Sequence, residues 1–429
     1  MLALERMEAA VRLRGMLAAL GLLATVSIGA RAAPAPAEIK VGTLYASTGT
    51  FAAISMPAYD GIKLWVKQAN AAGGVYVKPY HKKIPLKLIA YDDQSNTATA
   101  ATLYNQLITQ DHVEILISDS GSVLTSVAVP IAREHKQLLF DLSGTGAPFF
   151  SKDNPYIVLM SLPISTLWPK AQADFLNDVG WRAGVRKVAI LYATNDFTGT
   201  HAKSLAGYLR KAGKETIVYD QGVPTNTTNY SVLINNIAAA KPDAVIELGY
   251  PGNDIAFLRA LQDSGEKFRY VFTLFGGFEM HAVLGGAGAS AMVGTFTYIP
   301  AALYPYKVNY GPTVEQFHAA WDKAYPPGSG VAWGADGLMG YMSGLVIERA
   351  LATTPGMSQL DLRRAVFALS GKLDTLAGAF RLNPVGAQIG EMTPMGQLRA
   401  DGPHAVRPVA VYPPALAMGK PEFGPRSGQ

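Results

Sequence analysis

From Ile39 onward, apolar runs of strand length alternate with stretches whose apolar residues recur at helical spacing. The run IKVGTLY from Ile39 to Tyr45 predicts a strand, and Tyr59 to Ala72 predicts a helix. The alternation continues with a strand at Pro85 to Tyr91, a helix at Thr97 to Gln110, a strand at Val113 to Ser118, a helix at Leu124 to Glu134 and a strand at Gln137 to Leu142. A turn-rich stretch, Gly144 to Pro155, separates this series from a second one. The second reads as helix Leu167 to Val179, strand Lys187 to Tyr192, helix Gly199 to Ala212, strand Glu215 to Asp220, helix Tyr230 to Ala239, strand Ala244 to Leu248, helix Asn253 to Gln262 and strand Tyr270 to Leu274. Buried strands alternating with helices imply parallel sheets covered on both faces, so the fold class is α/β, with two doubly wound lobes and a cleft between them.

The alternation then breaks. A strand at Met292 to Ile299 is followed by helices at Val314 to Ala324, Ala335 to Ala352 and Gln359 to Ala368, a block expected to pack back on the first half. Strands near Gly378 to Leu382 and Val406 to Tyr412 would return to the second half, which makes the crossovers hinges. The expected organisation is 38–160 with 300–373 in lobe 1, 161–299 with 374–412 in lobe 2, and a Pro- and Gly-rich surface tail over 413–429.

Residues 1–32 read differently. Arg6, Arg12 and Arg14 precede an apolar run from Met16 to Ala30, and Ala30 and Ala32 form an A-x-A pattern, so a cleaved export signal and a mature start near Ala33 are expected. The run is shorter than the ~20 residues that a spanning helix needs. The chain has no cysteine, which rules out a lipid-modified cysteine, a disulfide framework and a thiolate metal site. A periplasmic location follows. The formal charge of +5 includes the leader's arginines, and no long basic run tracks phosphates, so nucleic acid is not an expected partner. A monomer is expected.

Open α/β sheets bind ligands at the carboxyl ends of their strands, where helix N-termini present unpaired N–H groups. Two successive junctions fit: Asp119, Ser120, Gly121 and Ser122 follow one strand, and Ser143, Gly144, Thr145 and Gly146 follow the next. Together they could hold a carboxylate without a cationic side chain. Taken singly, Ser122 could equally cap a helix and the 143–146 segment could be an ordinary turn. Asp92 and Asp93 are expected to end a strand and cap the following helix. In the second half, Phe197, Tyr250, Phe275, Phe278, Tyr298, Tyr304 and Tyr306 stand at loop positions, and some should form an apolar wall opposite the polar anchor.

Enzymatic chemistry has little to stand on. There is no phosphate-binding GK[ST] loop, no GxSxG elbow, no HExxH and no GxGxxG after the first strand, and the seven histidines lack ligand spacing. No catalytic residue, metal site or cofactor is expected. A secreted amidase-like hydrolase would need a nucleophile or metal that does not appear.

The combination IKVGTLYASTGTFA, DGIKLWVKQANAAGGV, IPLKLIAYDDQSNTATAATLYNQLI and ELGYPGNDIAFLRALQDSG, from about Ile39 to Ala379, resembles the branched-chain amino-acid (Leu/Ile/Val) binding proteins of ABC importers. The resemblance implies a type I periplasmic binding protein that closes around a small-molecule ligand and delivers it to an ABC permease of the inner membrane. It also implies carboxylate and ammonium contacts at Ser122 and at Ser143, Gly144 and Thr145. Phe197 and Tyr250 match ligand-facing positions, and Ile54 would line the side-chain pocket. The family's acidic ammonium partner has no counterpart directly after Leu274, where Phe275 stands; Glu279 follows a few residues later. Burying an ammonium without an opposite charge costs several kcal/mol. Either Glu279 reaches the cleft, or the ligand is an apolar or aromatic carboxylate without an amino group. A ligand-sensing receptor for signalling would use the same fold.

Overall fold

The computed structural model describes residues 34–300, 307–331 and 333–425, so the expected export signal lies outside the described residues, as do Tyr304 and Tyr306. The compact body begins at Ala37. Its first sheet holds five parallel strands in the order β4-β1-β5-β6-β7: Ile39–Tyr45 (β1), Leu86–Asp92 (β4), Ile115–Ile117 (β5), Leu139–Asp141 (β6) and Ile157–Leu159 (β7). A small antiparallel hairpin, Val75–Val77 (β2) with Lys82–Ile84 (β3), lies outside it. Strands β5, β6 and β7 have no exposed residue, as a sheet covered on both faces requires.

The second sheet has seven strands. Lys187–Ala193 (β8), Thr216–Val223 (β9), Ala244–Leu248 (β10), Tyr270–Phe272 (β11) and Phe296–Tyr298 (β12) run parallel in the order β12-β11-β10-β8-β9. Three further strands differ from the sequence expectation. Leu373–Thr375 (β13) pairs with Gly378–Phe380 (β14) as a separate hairpin, so the strand near Gly378 does not join the second sheet. Met395–Ala400 (β15), which was not anticipated, pairs antiparallel with β12 and with Val406–Tyr412 (β16). Its sequence, MGQLRA, carries too few β-branched or aromatic residues to read as a strand. The tail is held in place: Phe423 lies 5.5 Å from Phe296, and Glu422 N–H donates to Gln397 Oε1 at 2.9 Å.

The helical block does pack on the first half. Helix Ala335–Leu351 is buried along nearly its whole length and lies against helix Ala52–Ala71. The contact uses glycine on both sides: a Cβ on Gly340 would stand 2.0 Å from the Ala58 carbonyl oxygen, one on Gly61 2.0 Å from the Gly337 oxygen, and one on Gly344 2.1 Å from the Trp65 ring. Backbone meets backbone here, which fixes where the helix begins. One expected cap is also corrected. Asn96, not Asp93, caps helix Thr97–Thr109, accepting the Ala98 and Thr99 N–H groups, while Asp93 accepts the Ser95 N–H inside the turn. Among the described residues, no helix is long and apolar enough to cross a membrane.

Candidate functional site

The strand ends of both sheets meet at one small cavity. Ser120, Gly121 and Ser122 reach it after β5, and Ser143 and Thr145 after β6. Phe197, Tyr250, Phe275 and Phe278 reach it from the loops after β8, β10 and β11, and Ile54 from the first turn of helix Ala52–Ala71, which starts earlier than the periodicity predicts. Of the nine residues singled out from the sequence, seven line this cavity; Gly144 and Glu279 do not.

The first-sheet wall is a hydrogen-bonded set of hydroxyls and amides. Gly121 adopts φ +88°, a conformation that glycine takes without cost, and precedes helix Ser122–Glu134 as its N-cap. Ser122 therefore is not the cap: its Oγ accepts the Gly146 N–H at 3.1 Å and ties the two loops together. Ser120 donates to Asp336 Oδ1 at 2.5 Å, so the 2.9 Å contact between Ser120 and Ser143 requires Ser143 to donate. Ser143 also accepts the Gly121 N–H at 3.2 Å, which commits its hydroxyl to the scaffold. Gly144 is committed as well. Its N–H donates to Asp141 Oδ1 at 2.8 Å, and a Cβ there would strike Thr125. Burial pushes the Asp141 carboxyl up to about 7, with the amide of Gly144 and the hydroxyl of Ser118 pulling the other way.

What faces the cavity is a smaller set of donors. Ser122 keeps its O–H, Thr145 brings a hydroxyl, and Tyr250 brings a fully buried hydroxyl that has no hydrogen-bond partner among the described residues. Burial pushes the Tyr250 hydroxyl well above its usual pKa, while the nearby amides of Val123 and Ser122 pull it down. Those amides belong to the first turn of a 13-residue helix, where N–H groups lack intrahelical partners and favour negative charge. A carboxylate placed here would be met by hydroxyl and amide donors alone.

The opposite wall is aromatic. Trp168 lies edge-on to Phe197 at 5.2 Å and against Phe278 at 5.4 Å, and Tyr250 stacks on Phe275 at 5.7 Å. Behind it, Tyr298, which does not line the cavity, bonds His201 and Gln172 at 3.0 Å each and braces Trp168. Burial lowers the His201 pKa to about 3, so this histidine is a neutral structural group.

Glu279 is displaced from its expected role. Its carboxylate accepts the Asp336 N–H at 3.1 Å and lies under Gly334, one hydrogen bond behind the wall. The acid at the wall is Asp336, in the first turn of helix Ala335–Leu351. Burial raises both carboxyls, Asp336 to about 6 and Glu279 well above the usual range, and the pair shares a hydrogen bond. No lysine or arginine lines the cavity. Sequence reasoning missed Asp336 because an acid in a helix's first turn is ordinary. It also missed Leu162, and Trp168 read only as part of helix Leu167 to Val179.

The chain matches the model of the periplasmic binding protein family over residues 38–403. It is similar to Leu/Ile/Val-binding protein homolog 7 of Brucella abortus, 24% identical over 408 residues that cover 92% of this chain and 96% of the relative. In fold it is similar to the branched-chain amino-acid transporter substrate-binding protein LivJ of Streptococcus pneumoniae, solved with isoleucine (TM-score 0.69, 18% identity, 87% of this chain and 100% of that one). A solute-binding protein of an ABC transporter from R. palustris, solved with benzoate, is similar to the same degree (TM-score 0.68, 18% identity, 88% and 99%).

Proposed function

Since the chain belongs to the periplasmic binding protein family and has the type I fold, we propose that it is the solute-binding component of an ABC importer, taking an α-amino acid with a large apolar or aromatic side chain. The observation that carries this reading is the composition of one cavity wall: hydroxyl and amide donors stand beside a single acid, Asp336, with no cation in reach. A zwitterion satisfies both halves. Its carboxylate meets Ser122, Thr145, Tyr250 and the helix N-terminus, its ammonium meets Asp336, and its side chain lies against Trp168, Phe197, Phe275 and Phe278. A carboxylate without an ammonium would leave Asp336 facing a like charge or holding a proton. Closure of the two lobes over the ligand would shift a pre-existing equilibrium, and delivery to a permease after export to the periplasm is part of the same reading.

A thermal-shift screen of the purified protein against leucine, isoleucine, phenylalanine, phenylacetate and benzoate tests the reading. A ligand at a hundred times its dissociation constant stabilises a fold by ~2.7 kcal/mol, so the amino acids should raise the melting temperature and the acids without an amino group should not. Stabilisation by phenylacetate or benzoate alone would replace the amino acid with an aromatic carboxylate. Turnover of a bound amide would make the protein a hydrolase.

Two further results are expected by calorimetry. Ser122→Ala and Thr145→Ala should each weaken amino-acid binding roughly tenfold, the worth of one hydrogen bond to a charged group. Unchanged affinity in both would remove the carboxylate from this wall. Affinity should also depend on pH with a definite sign. With Asp336 raised to about 6 in the free protein, it must lose its proton to pair with an ammonium, so amino-acid affinity should fall as pH drops through 6. A bare carboxylate would show the opposite trend.

A further inference from the structure

Behind the loops that line the cavity stand two further pairs of buried acids, one at each sheet. At the first sheet these are Asp93 and Asp119, which follow β4 and β5 and are almost fully buried. Asp119 Oδ1 accepts the Ser120 N–H at 2.6 Å and the Ser55 hydroxyl, so it ties the loop of Ser120, Gly121 and Ser122 to the helix that carries Ile54. Asp93 Oδ1 accepts the Ser95 N–H at 2.9 Å. At the second sheet the pair is Glu247 and Asp254, both fully buried. Asp254 Oδ2 accepts the Phe275 N–H at 2.8 Å, and the amides of Leu274 and Gly276 also bond this carboxyl. Glu247 is met by the Tyr230 hydroxyl, 3.4 Å from Oε1, and by the Gly249 amide.

Each of the four acids leaves one oxygen without a donor among the described residues: Oδ2 of Asp93 and of Asp119, Oε2 of Glu247 and Oδ1 of Asp254. Yet the two members of each pair lie within hydrogen-bond reach of one another. An ionised carboxyl only accepts, so two carboxyls bond each other only when one of them carries a proton. Among the described residues, no lysine, arginine or histidine forms an ion pair with any of the four. Their titratable neighbours supply no positive charge either: these are Asp92, Tyr104 and Asp141 around the first pair and Tyr230 beside the second. Burial raises all four carboxyls, Asp93 to about 6 and Asp254 to about 7, which agrees with a retained proton.

We infer that each sheet fixes its cavity loop on two carboxyls that share one proton, Asp93 with Asp119 and Glu247 with Asp254, and that Asp119 and Asp254 are positioning residues for the ligand. The positioning half rests on the cavity being the ligand site; the shared protons do not. The arrangement has a consequence of definite sign. Unfolded aspartate and glutamate lose their protons near pH ~4, whereas each folded pair keeps one, so stability declines as pH rises above that range.

Urea unfolding of the protein between about pH 7.5 and 9 tests the shared protons. Asp93→Asn and Glu247→Gln each replace a shared proton with an amide N–H that does not titrate, while the amide oxygen still accepts from Ser95 or Tyr230. With each pH unit, the unfolding constant of the wild type should gain about tenfold on that of either variant, the effect of one held proton. Equal slopes, which a doubly ionised pair or a bound cation would give, overturn the inference for that pair. Calorimetry with L-leucine tests the positioning. Asp254→Ala, which frees the Phe275 amide, should weaken leucine about tenfold, whereas Asp254→Asn, whose oxygen still accepts that amide while its N–H meets Glu247, should stay within about threefold of the wild type. Unchanged affinity in Asp254→Ala, or a tenfold loss in Asp254→Asn, overturns the positioning role; the second result counts even if the alanine variant does not fold. Failure of the wild type to bind leucine would count against the amino-acid reading and the positioning role together, while the unfolding slopes, which need no ligand, still decide the shared protons.

Discussion

Asp336→Asn is expected to weaken amino-acid binding by about a hundredfold or more, because truncating one partner of a buried charge pair costs roughly 2–5 kcal/mol. The substitution changes charge and little else. Asparagine's amide oxygen still accepts the Ser120 hydroxyl, and the backbone N–H of residue 336 still donates to Glu279, so the loop and the helix start keep their contacts. Glu279→Gln should do less, since Glu279 lies behind the wall rather than on it. The two variants separate a counter-charge from a general negative field. Phenylacetate, which has no ammonium to lose, should bind Asp336→Asn no worse than the wild type. An Asp336→Asn protein that melts normally and binds leucine unchanged would show that the ammonium, or the ligand, is elsewhere.

The second large effect is on folding. Gly340→Leu should leave the protein unfolded or destabilised by about 3 kcal/mol or more, the upper end of what overpacking costs. Even Gly340→Ala puts a Cβ 2.0 Å from the Ala58 carbonyl oxygen, and neither backbone can yield by rotating a side chain. Alanine gains about 1 kcal/mol over glycine in helix propensity, which does not offset a backbone clash of this kind. The consequence reaches the ligand. The same helix carries Asp336 in its first turn, so any separation of helices Ala52–Ala71 and Ala335–Leu351 moves the counter-charge and Ile54 apart. Denaturant midpoints of Gly340→Ala and Gly344→Ala beside the wild type measure this directly. A near-neutral Gly340→Ala would mean that the two helices can part without loss.

These two cases mark where reading the sequence succeeds and where it stops. Strand and helix alternation was legible because a sheet covered on both faces demands uninterrupted apolar strands, and β1, β8 and β10 all appear where the runs predict them. Local turn chemistry was less legible. Asp93 looked like a cap, yet Asn96 takes that place, and the two are told apart only by which side chain reaches the first free N–H groups. Strand β15 and the hairpin β13-β14 escaped or were misplaced because short polar strands owe their existence to partners distant in sequence.

For the candidate site, the sequence by itself determined which loops converge, since the loops that follow strand ends in an open α/β sheet open onto one crevice, and Ser122, Thr145, Phe197, Tyr250 and Phe275 all line the cavity for that reason. Only the tertiary structure decided how their hydrogen bonds are shared: Ser143 and Gly144 are spent within the scaffold, and Glu279 stands behind the acid that reaches the wall. That acid, Asp336, is 216 residues from the Ser120 hydroxyl that it accepts. No local pattern encodes such a contact, because its geometry is set by two helices, distant in sequence, that meet at glycines.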